Sequence, residues 1–158
     1  MRKIRAVLFD MDGLLRDTEK LNIECVCLVA REMGAELQPE VVARRIMGTA
    51  RAQIVAAYQS LLPDSVDGAA FYQRKNELFA KRKHQEGVKP MKGAMELLHW
   101  LHEKGIACVL VTATVGEAAR ERLRENGMWD LLPYRVTGDM PLPSKPDPAP
   151  YLKGAELA

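Results

Sequence analysis

The stretch that decides the fold is Ala6-Val7-Leu8-Phe9-Asp10-Met11-Asp12-Gly13, near the start of the chain. Its apolar residues predict a buried strand over residues 3–10, and two aspartates one residue apart stand at its end. Open α/β sheets bind ligands at the carboxyl ends of their strands. Gly13 allows a sharp turn, so both carboxylates can face one point. The pair fits a carboxylate nucleophile beside a proton-transfer group and a divalent cation, and it fits an ordinary turn equally well.

The composition is that of a globular protein. A length of 158 residues suits one domain, or one core with a small insertion, and 47% hydrophobic residues supply that core. The net charge of +2 indicates neither nucleic acid nor a membrane surface as a partner. No apolar run could span a bilayer or serve as a signal peptide, so we expect a cytoplasmic protein. The three cysteines predict core packing rather than disulfides or a zinc site.

Strand and helix patterns alternate after Pro90. Apolar strands are predicted at Ile106–Val111 and Tyr134–Thr137, with helical spacing before and between them. This alternation is typical of a parallel sheet with right-handed crossovers. The pattern therefore predicts an α/β fold.

The stretch between the first strand and this region has a different pattern. Helical spacing recurs three times without a strand pattern, over residues 21–33, 40–62 and 67–86. We therefore predict an α/β core of residues 1–16 and 89–158 that carries a helical insertion, residues 17–88.

A second candidate segment follows the strand at Ile106–Val111. Thr112 would lie at the strand tip, beside unpaired N–H groups of the next helix, where a phosphate or another anion binds well. The sequence Thr114-Val115-Gly116-Glu117 has the spacing of a capping box and predicts Thr114 as the helix N-cap. Taken alone, a plain strand-to-helix turn explains this segment more simply.

A third segment, Pro143-Ser144-Lys145-Pro146-Asp147-Pro148, holds one lysine between prolines. The prolines restrict the backbone, and a lysine held in this way can present its charge to a phosphate dianion. A single lysine is usually only solvated. The proline frame favours a binding role without deciding it.

Together, and in this order, the three segments resemble the first three signature motifs of the haloacid dehalogenase superfamily. The first motif corresponds to Phe9–Glu19, the second to Thr112 and the third to Lys145–Pro148. The similarity is closest to phosphatases and β-phosphoglucomutase-like enzymes with a helical cap inserted after the first motif. It implies a Rossmann-like parallel core, with residues 17–88 as the cap.

The resemblance implies a Mg²⁺-dependent phosphomonoester hydrolase that acts on a small organic phosphate through an aspartyl phosphate. Asp10 would be the nucleophile, and Asp12 the general acid and then the general base. Asp10, with the backbone carbonyl of Asp12, would hold Mg²⁺. Thr112, the N–H of Ala113 and Lys145 would bind the phosphoryl oxygens. A phosphosugar mutase is the nearest enzymatic alternative.

Two segments of the insertion resemble substrate-facing parts of such caps. Gly48, Thr49 and Arg51 lie in a stretch similar to the substrate-specificity loop, and Lys75 lies in the second segment. Arg51 and Lys75 would bind a distal anionic or hydroxyl group of the substrate, or they are solvated charges on helix faces. Asn22 stands where the mutases carry a histidine, which favours hydrolysis.

The family pattern continues with another strand and a fourth, acidic motif, and this chain ends at Ala158 before either of them. We therefore expect the C-terminal strands of the core to be missing and Mg²⁺ to bind more weakly. The first strand would then be an exposed edge that favours self-association. The non-enzymatic alternative is a truncated chain that only binds a ligand or a partner.

Overall fold

The computed structural model describes residues 3–49 and 51–158. The strands are β1 (Ala6–Phe9), β2 (Ala107–Val111) and β3 (Tyr134–Val136). The α-helices within these residues are α1 (Thr18–Glu32), α2 (Pro39–Ile46), α3 (Ile54–Gln59), α4 (Gly68–Glu86), α5 (Ala94–Glu103), α6 (Gly116–Arg124) and α7 (Ala149–Leu157). Short 3₁₀ turns lie at Arg51–Gln53 and Trp129–Leu131.

The strands form one parallel sheet in the order β1-β2-β3. Phe9 of β1 lies opposite Leu110 of β2, and Val111 of β2 lies opposite Val136 of β3. Parallel neighbours need long crossover connections, which helices supply here. The predicted α/β fold with a parallel sheet is confirmed.

The chain divides into two compact units. The first contains the described residues up to Thr18 together with Val88–Ala158, and it holds the sheet. The second, Glu19–Gly87, is helical, with no strand among the residues that the structure describes there. None of the described helices is both long enough and apolar enough to cross a membrane.

Both faces of the sheet are covered within the first unit, because side chains alternate between the faces of a strand. On one face, Leu110 joins a buried cluster that includes Leu98 of α5 and Leu123 of α6. On the other face α7 packs closely, and a Cβ at Gly154 would lie 3.0 Å from a methyl carbon of Val111.

The helical unit has an apolar cluster of its own. It includes Val26 and Val29 of α1, Tyr58 of α3 and Phe71 of α4. The rings of Tyr58 and Phe71 lie 5.2 Å apart between centroids, a normal spacing for a packed aromatic pair. Each unit therefore has the separate core expected of a domain.

Two sequence predictions differ from the structure. The strand predicted over residues 3–10 is shorter, Ala6–Phe9, and only Phe9 in it is buried. Among the described residues, β1 has a strand neighbour on one side only, which leaves it less covered than β2. The helix predicted over residues 40–62 is broken between α2 and α3, where Gly48 interrupts it.

Candidate active site

Two of the predicted segments meet at the carboxyl edge of the sheet. Asp10 follows β1 directly and Thr112 follows β2, and the register of the parallel strands places their ends side by side. Gly13 has a φ of 79°, so the sharp turn predicted at this glycine is present. Its N–H donates to the Arg16 carbonyl at 2.9 Å and closes the loop that carries Asp12.

Lys145 reaches the same edge from the third segment. Its Nζ donates to Asp10 Oδ1 at 2.9 Å and to the Val111 carbonyl at 2.7 Å. The same atom lies 4.9 Å from the centroid of the Tyr151 ring. The side chain of Lys145 is 23% exposed and that of Asp10 is 41% exposed. The structure thus joins two residues, 135 positions apart, that were predicted to share a site.

The loop after β2 is held by a close backbone approach. Thr112 is buried, and its Oγ1 accepts the N–H of Thr114 at 3.1 Å, whereas Ala113 is exposed. A Cβ at Gly138 would lie 2.0 Å from the Ala113 carbonyl oxygen, so only glycine fits there. The Gly138 N–H also donates to the Thr114 carbonyl at 2.9 Å. These contacts hold residues 112–114 against the segment after β3.

A pocket opens beside this loop, at the carboxyl edge of β2 and β3. Its lining includes Thr112, Ala113 and Lys145, the three residues predicted to bind phosphoryl oxygens, together with Thr137 and Ser144. An ammonium group near several hydroxyls can bind an anion by charge-assisted hydrogen bonds.

The carboxylate of Asp12 makes different contacts. Its Oδ2 accepts a hydrogen bond from Thr114 Oγ1 at 3.3 Å and lies 3.7 Å from Arg122 Nη1. Its side chain is 40% exposed. In the described part of the chain, Asp12 therefore contacts the loop before α6 and the last turn of that helix, while Asp10 pairs with Lys145.

The prediction that Thr114 caps α6 is wrong. The N-cap is Val115, which makes no side-chain hydrogen bond, and the Gly116 N–H donates to Asp139 Oδ1 at 2.9 Å. Hydrogen bonds from the Thr137 side chain and the Gly116 N–H lower the pKa of Asp139. A carboxylate from the segment after β3 thus accepts from an amide at the start of α6, where the local pattern predicts a cap by the Thr114 hydroxyl.

The oxygen donors at this edge suit a magnesium ion in kind. Mg²⁺ prefers oxygen ligands, and one or two carboxylates are enough when phosphate and water complete the octahedron. The Asp10 carboxylate and the Asp12 backbone carbonyl are such donors. In residues 3–49 and 51–158, no group of three or more His, Cys, Asp or Glu side chains could hold a metal.

Lys75 lies inside the helical unit, with only 6% of its surface exposed. Its Nζ donates to Asn22 Oδ1 at 3.0 Å, and it lies 5.3 to 5.9 Å from the ring centroids of Tyr58, Tyr72 and Phe79. Burial lowers the pKa of Lys75 and raises the pKa of Tyr58 to about 12. Aromatic faces and one amide oxygen therefore compensate the buried charge.

The other predicted cap residues lie in the loop after α2. Thr49 Oγ1 donates to the Arg45 carbonyl at 3.0 Å, and Gly48 is exposed beside it. Ala50 lies outside the described residues, as does the side chain of Arg51. Within the described residues, the side-chain hydrogen bond of Thr49 is with Arg45 of α2, and that of Lys75 is with Asn22 of α1.

Sequence reasoning did not identify Arg122, Tyr151 or Arg16. Arg16 is fully buried and forms an ion pair of 2.7 Å with Glu125. An arginine in a loop or on a helix normally indicates a solvated charge, so composition provided no signal. A signal existed for Arg122, because the helix predicted to begin after Thr114 would place Arg122 about two turns further along.

Comparisons with known proteins agree with the sequence motifs. The sequence pattern of haloacid dehalogenase-like hydrolases matches residues 7–157. A phosphorylated carbohydrates phosphatase from Thermotoga maritima is 34% identical over 149 residues, covering 94% of this chain and 68% of that protein. A crystal structure of a candidate beta-phosphoglucomutase from Thermotoga maritima is 34% identical with a TM-score of 0.68, covering 97% of this chain and 70% of that one. A hydrolase from Streptococcus pneumoniae is similar in fold, with 18% identity, a TM-score of 0.76, and coverage of 93% of this chain and 73% of that one.

Proposed function

This chain belongs to the haloacid dehalogenase-like hydrolase family, and we propose that it hydrolyses small organic phosphate monoesters through an aspartyl phosphate. The observation that carries the proposal is the contact of 2.9 Å between Lys145 Nζ and Asp10 Oδ1 at the carboxyl edge of the sheet. A carboxylate that attacks a phosphate dianion meets charge repulsion. An ammonium held beside it offsets that repulsion and orients both groups.

In the proposed first step, an oxygen of Asp10 attacks phosphorus while the bond from phosphorus to the alcohol oxygen breaks. Asp12 gives its proton to the leaving oxygen, so the product is a neutral alcohol. The Thr112 hydroxyl, the Ala113 N–H and the Lys145 ammonium bind the other phosphoryl oxygens. Charge stabilisation of this kind is the main requirement of phosphoryl transfer.

In the second step, Asp12 has become a carboxylate and takes a proton from a water molecule. That water attacks phosphorus, and the bond between phosphorus and Asp10 breaks. Inorganic phosphate leaves, the Asp10 carboxylate is restored, and Asp12 again carries a proton. The two aspartates therefore return to their starting forms in each cycle.

We assign metal dependence to the same two residues. The Asp10 carboxylate and the Asp12 backbone carbonyl would hold Mg²⁺, which when bound supplies positive charge beside the phosphoryl oxygens. Lys145 supplies a second, fixed positive charge that belongs to the chain itself.

We propose the helical insertion, residues 17–88, as a cap that binds the rest of the substrate and excludes water. Gly48, Thr49, Arg51 and Lys75 are its proposed substrate-facing residues. A relative with 34% identity is named for phosphorylated carbohydrates, which supports testing such compounds first. The proposed compartment is the cytoplasm, where free cysteines stay reduced.

A mutase is the second candidate, favoured by one observation. The Thermotoga maritima structure with 34% identity is described as a candidate beta-phosphoglucomutase. Asn22 favours hydrolysis instead, because a mutase of this kind carries a histidine at that position. The Asn22 side chain accepts a hydrogen bond from Lys75 Nζ and is therefore already engaged. Release of inorganic phosphate rather than an isomerised sugar phosphate distinguishes the two reactions.

We also propose self-association through β1. Among the described residues this strand pairs with β2 alone, and strands with one free side can pair with another chain. Sedimentation velocity over a range of concentrations tests this proposal. A monomer at every concentration contradicts it.

The direct test of the function measures phosphate release from p-nitrophenyl phosphate and from a panel of phosphorylated carbohydrates, with and without Mg²⁺. We expect activity in the wild-type chain and none in Asp10→Asn, which keeps the shape of the side chain and removes the nucleophile. Circular dichroism must show that the variant is folded. A folded wild-type chain that releases no phosphate from any substrate supports the alternative of a protein that only binds.

A further inference from the structure

Three side chains from two segments form a directional chain of contacts. Arg122 Nη1 donates to Thr114 Oγ1 at 3.4 Å, and the Thr114 hydroxyl donates to Asp12 Oδ2 at 3.3 Å. A guanidinium can only donate, so the threonine oxygen must accept from it and its proton must point to the carboxylate. Arg122 Nη1 also lies 3.7 Å from Asp12 Oδ2 and adds a direct charge interaction.

The start of α6 leaves Thr114 available for this contact. Asp139 binds the Gly116 N–H, so the Thr114 hydroxyl is not needed as a cap. Its backbone is held separately, because its N–H donates to Thr112 Oγ1 and its carbonyl accepts from Gly138. A hydroxyl with a fixed backbone can therefore orient the carboxylate that it contacts.

Stability alone does not account for these contacts. The side chain of Arg122 is 28% exposed and that of Asp12 is 40% exposed, and ion pairs with this much solvent contribute little to folding. These contacts instead limit the orientations that the Asp12 carboxylate can adopt. A carboxylate that exchanges protons with a leaving oxygen must stay within hydrogen-bond reach of it, and a free aspartate samples several rotamers.

We propose that Arg122, acting directly and through Thr114, is a positioning residue that restricts the Asp12 carboxylate to the orientation in which it serves the leaving oxygen. This inference rests on the proposed function, because it takes Asp12 as the general acid. In this account Arg122 contacts the Asp12 carboxylate and does not contact the substrate. Its loss should therefore matter only where the reaction depends on proton donation to the leaving group.

The leaving group provides a readout that a purely structural role would not move. The p-nitrophenolate ion leaves without a proton, whereas the alkoxide of a phosphorylated carbohydrate requires one. The ratio kcat/KM reports the steps up to release of the alcohol, so it isolates proton donation from the later hydrolysis of the aspartyl phosphate. Both substrates should be measured with the wild-type chain and with Arg122→Gln, Arg122→Lys and Thr114→Val.

For Arg122→Gln we expect kcat/KM for the phosphorylated carbohydrate to fall about 10-fold or more, and that for p-nitrophenyl phosphate to change less than about 3-fold. Arg122→Lys keeps a charged donor and should recover part of the loss. Thr114→Val should lower the same ratio, kcat/KM for the phosphorylated carbohydrate. Arg120→Gln is the matched control. It removes the same charge from the same helix, where Arg120 pairs with Glu117 at 3.7 Å, and should leave both ratios unchanged.

Equal losses on both substrates in folded Arg122→Gln, or no loss on either, overturn the positioning role and leave the proposed function standing. If the folded wild-type chain hydrolyses neither substrate, the proposed function is wrong, and this inference is wrong with it. Thermal unfolding of each variant separates these outcomes from misfolding. If Arg122→Gln does not fold, the same ratio measured in Thr114→Val decides the question.

Discussion

Lys145 Nζ lies 2.9 Å from Asp10 Oδ1 and is also bonded to the Val111 carbonyl at the end of β2. The ammonium is therefore held by the sheet itself as well as by the proposed nucleophile. Tyr151 of α7 adds a ring face at 4.9 Å, a favourable distance for a cation–π contact. Lys145 has little freedom, which suits a charge that must stay in place during phosphoryl transfer.

Replacing Lys145 with methionine should lower kcat/KM for p-nitrophenyl phosphate by about 100- to 1,000-fold, because a preorganised donor to the phosphoryl oxygens is lost. Steady-state kinetics measures this effect. Lys153→Met is the control, because Lys153 lies on α7 and pairs only at the surface with Glu156. Equal activities in the two variants would remove Lys145 from the site.

Removal of divalent metal should abolish hydrolysis, and added Mg²⁺ should restore it. The proposed ligands are one carboxylate and one backbone carbonyl, so the ion should exchange with solvent and be accessible to a chelator. Activity after dialysis against EDTA, and again after addition of Mg²⁺, is the measurement. Undiminished hydrolysis in excess EDTA contradicts the metal assignment and leaves the roles of Asp10 and Lys145 open to the tests above.

Gly138→Ala should damage both folding and activity. The new Cβ would lie 2.0 Å from the Ala113 carbonyl oxygen, so the loop after β2 must shift. We expect a loss of about 3 kcal/mol in the free energy of unfolding, as for a severe overpacking change. Urea denaturation measures it. Gly116→Ala is the control, since the three atoms nearest to its Cβ would be side-chain oxygens at 3.3 to 3.4 Å, and a full loss there would contradict the packing argument.

Arg16 provides a test of buried charge. It is fully buried, burial lowers its pKa, and its Nη1 has no hydrogen-bond partner in the described residues. Glu125→Gln should cost about 1 to 2 kcal/mol, because it weakens the pairing of a buried charge whose partner is half exposed. Arg16→Met should stay within about 1 kcal/mol of wild type, because both the charge and the unpaired donor disappear.

Urea denaturation of the two variants measures the difference. Asn126, whose Oδ1 accepts from Arg16 Nε at 3.1 Å, is unchanged in both variants. A larger loss in Arg16→Met than in Glu125→Gln would show that the arginine itself stabilises the fold.

The pH dependence of stability should reveal Asp139. Hydrogen bonds from the Thr137 side chain and the Gly116 N–H lower its pKa below the ordinary value of 3.8. A carboxyl with a lowered pKa stabilises the folded state fully above its ordinary value, and the gain is lost as pH falls through the lowered value. The difference in Tm between wild type and Asp139→Asn should therefore be constant above that pH and shrink below it. A difference that does not change with pH would exclude an ionised Asp139 as the source.

Much of the local structure could be predicted from the sequence. The strand that ends at Phe9, the turn at Gly13 and the strand at Ala107–Val111 depend on hydrophobic periodicity and glycine geometry over a few residues. The order of the three motifs also identified the family, because their residue types and spacing are together specific.

Contacts between distant segments could not be predicted in the same way. The capping pattern at Thr114 is locally reasonable, yet Asp139 arrives through the fold and takes the Gly116 N–H. The break between α2 and α3 lay inside a window whose apolar spacing looked helical throughout. The preference of a short stretch for a helix or a cap contributes little free energy, and a competing tertiary contact outweighs it.

The sequence by itself determined most of the elements on which the candidate residues lie, because strand period, helix period and turn residues act over short distances, and the chemical roles of those residues stay predictions. Only the tertiary structure decided that Lys145 meets Asp10 and that Arg122 and Thr114 meet Asp12. Those pairings depend on the register of a parallel sheet and on where α6 and α7 pack against it. Such distances arise from the packing of the whole first unit, and no short stretch of sequence contains them.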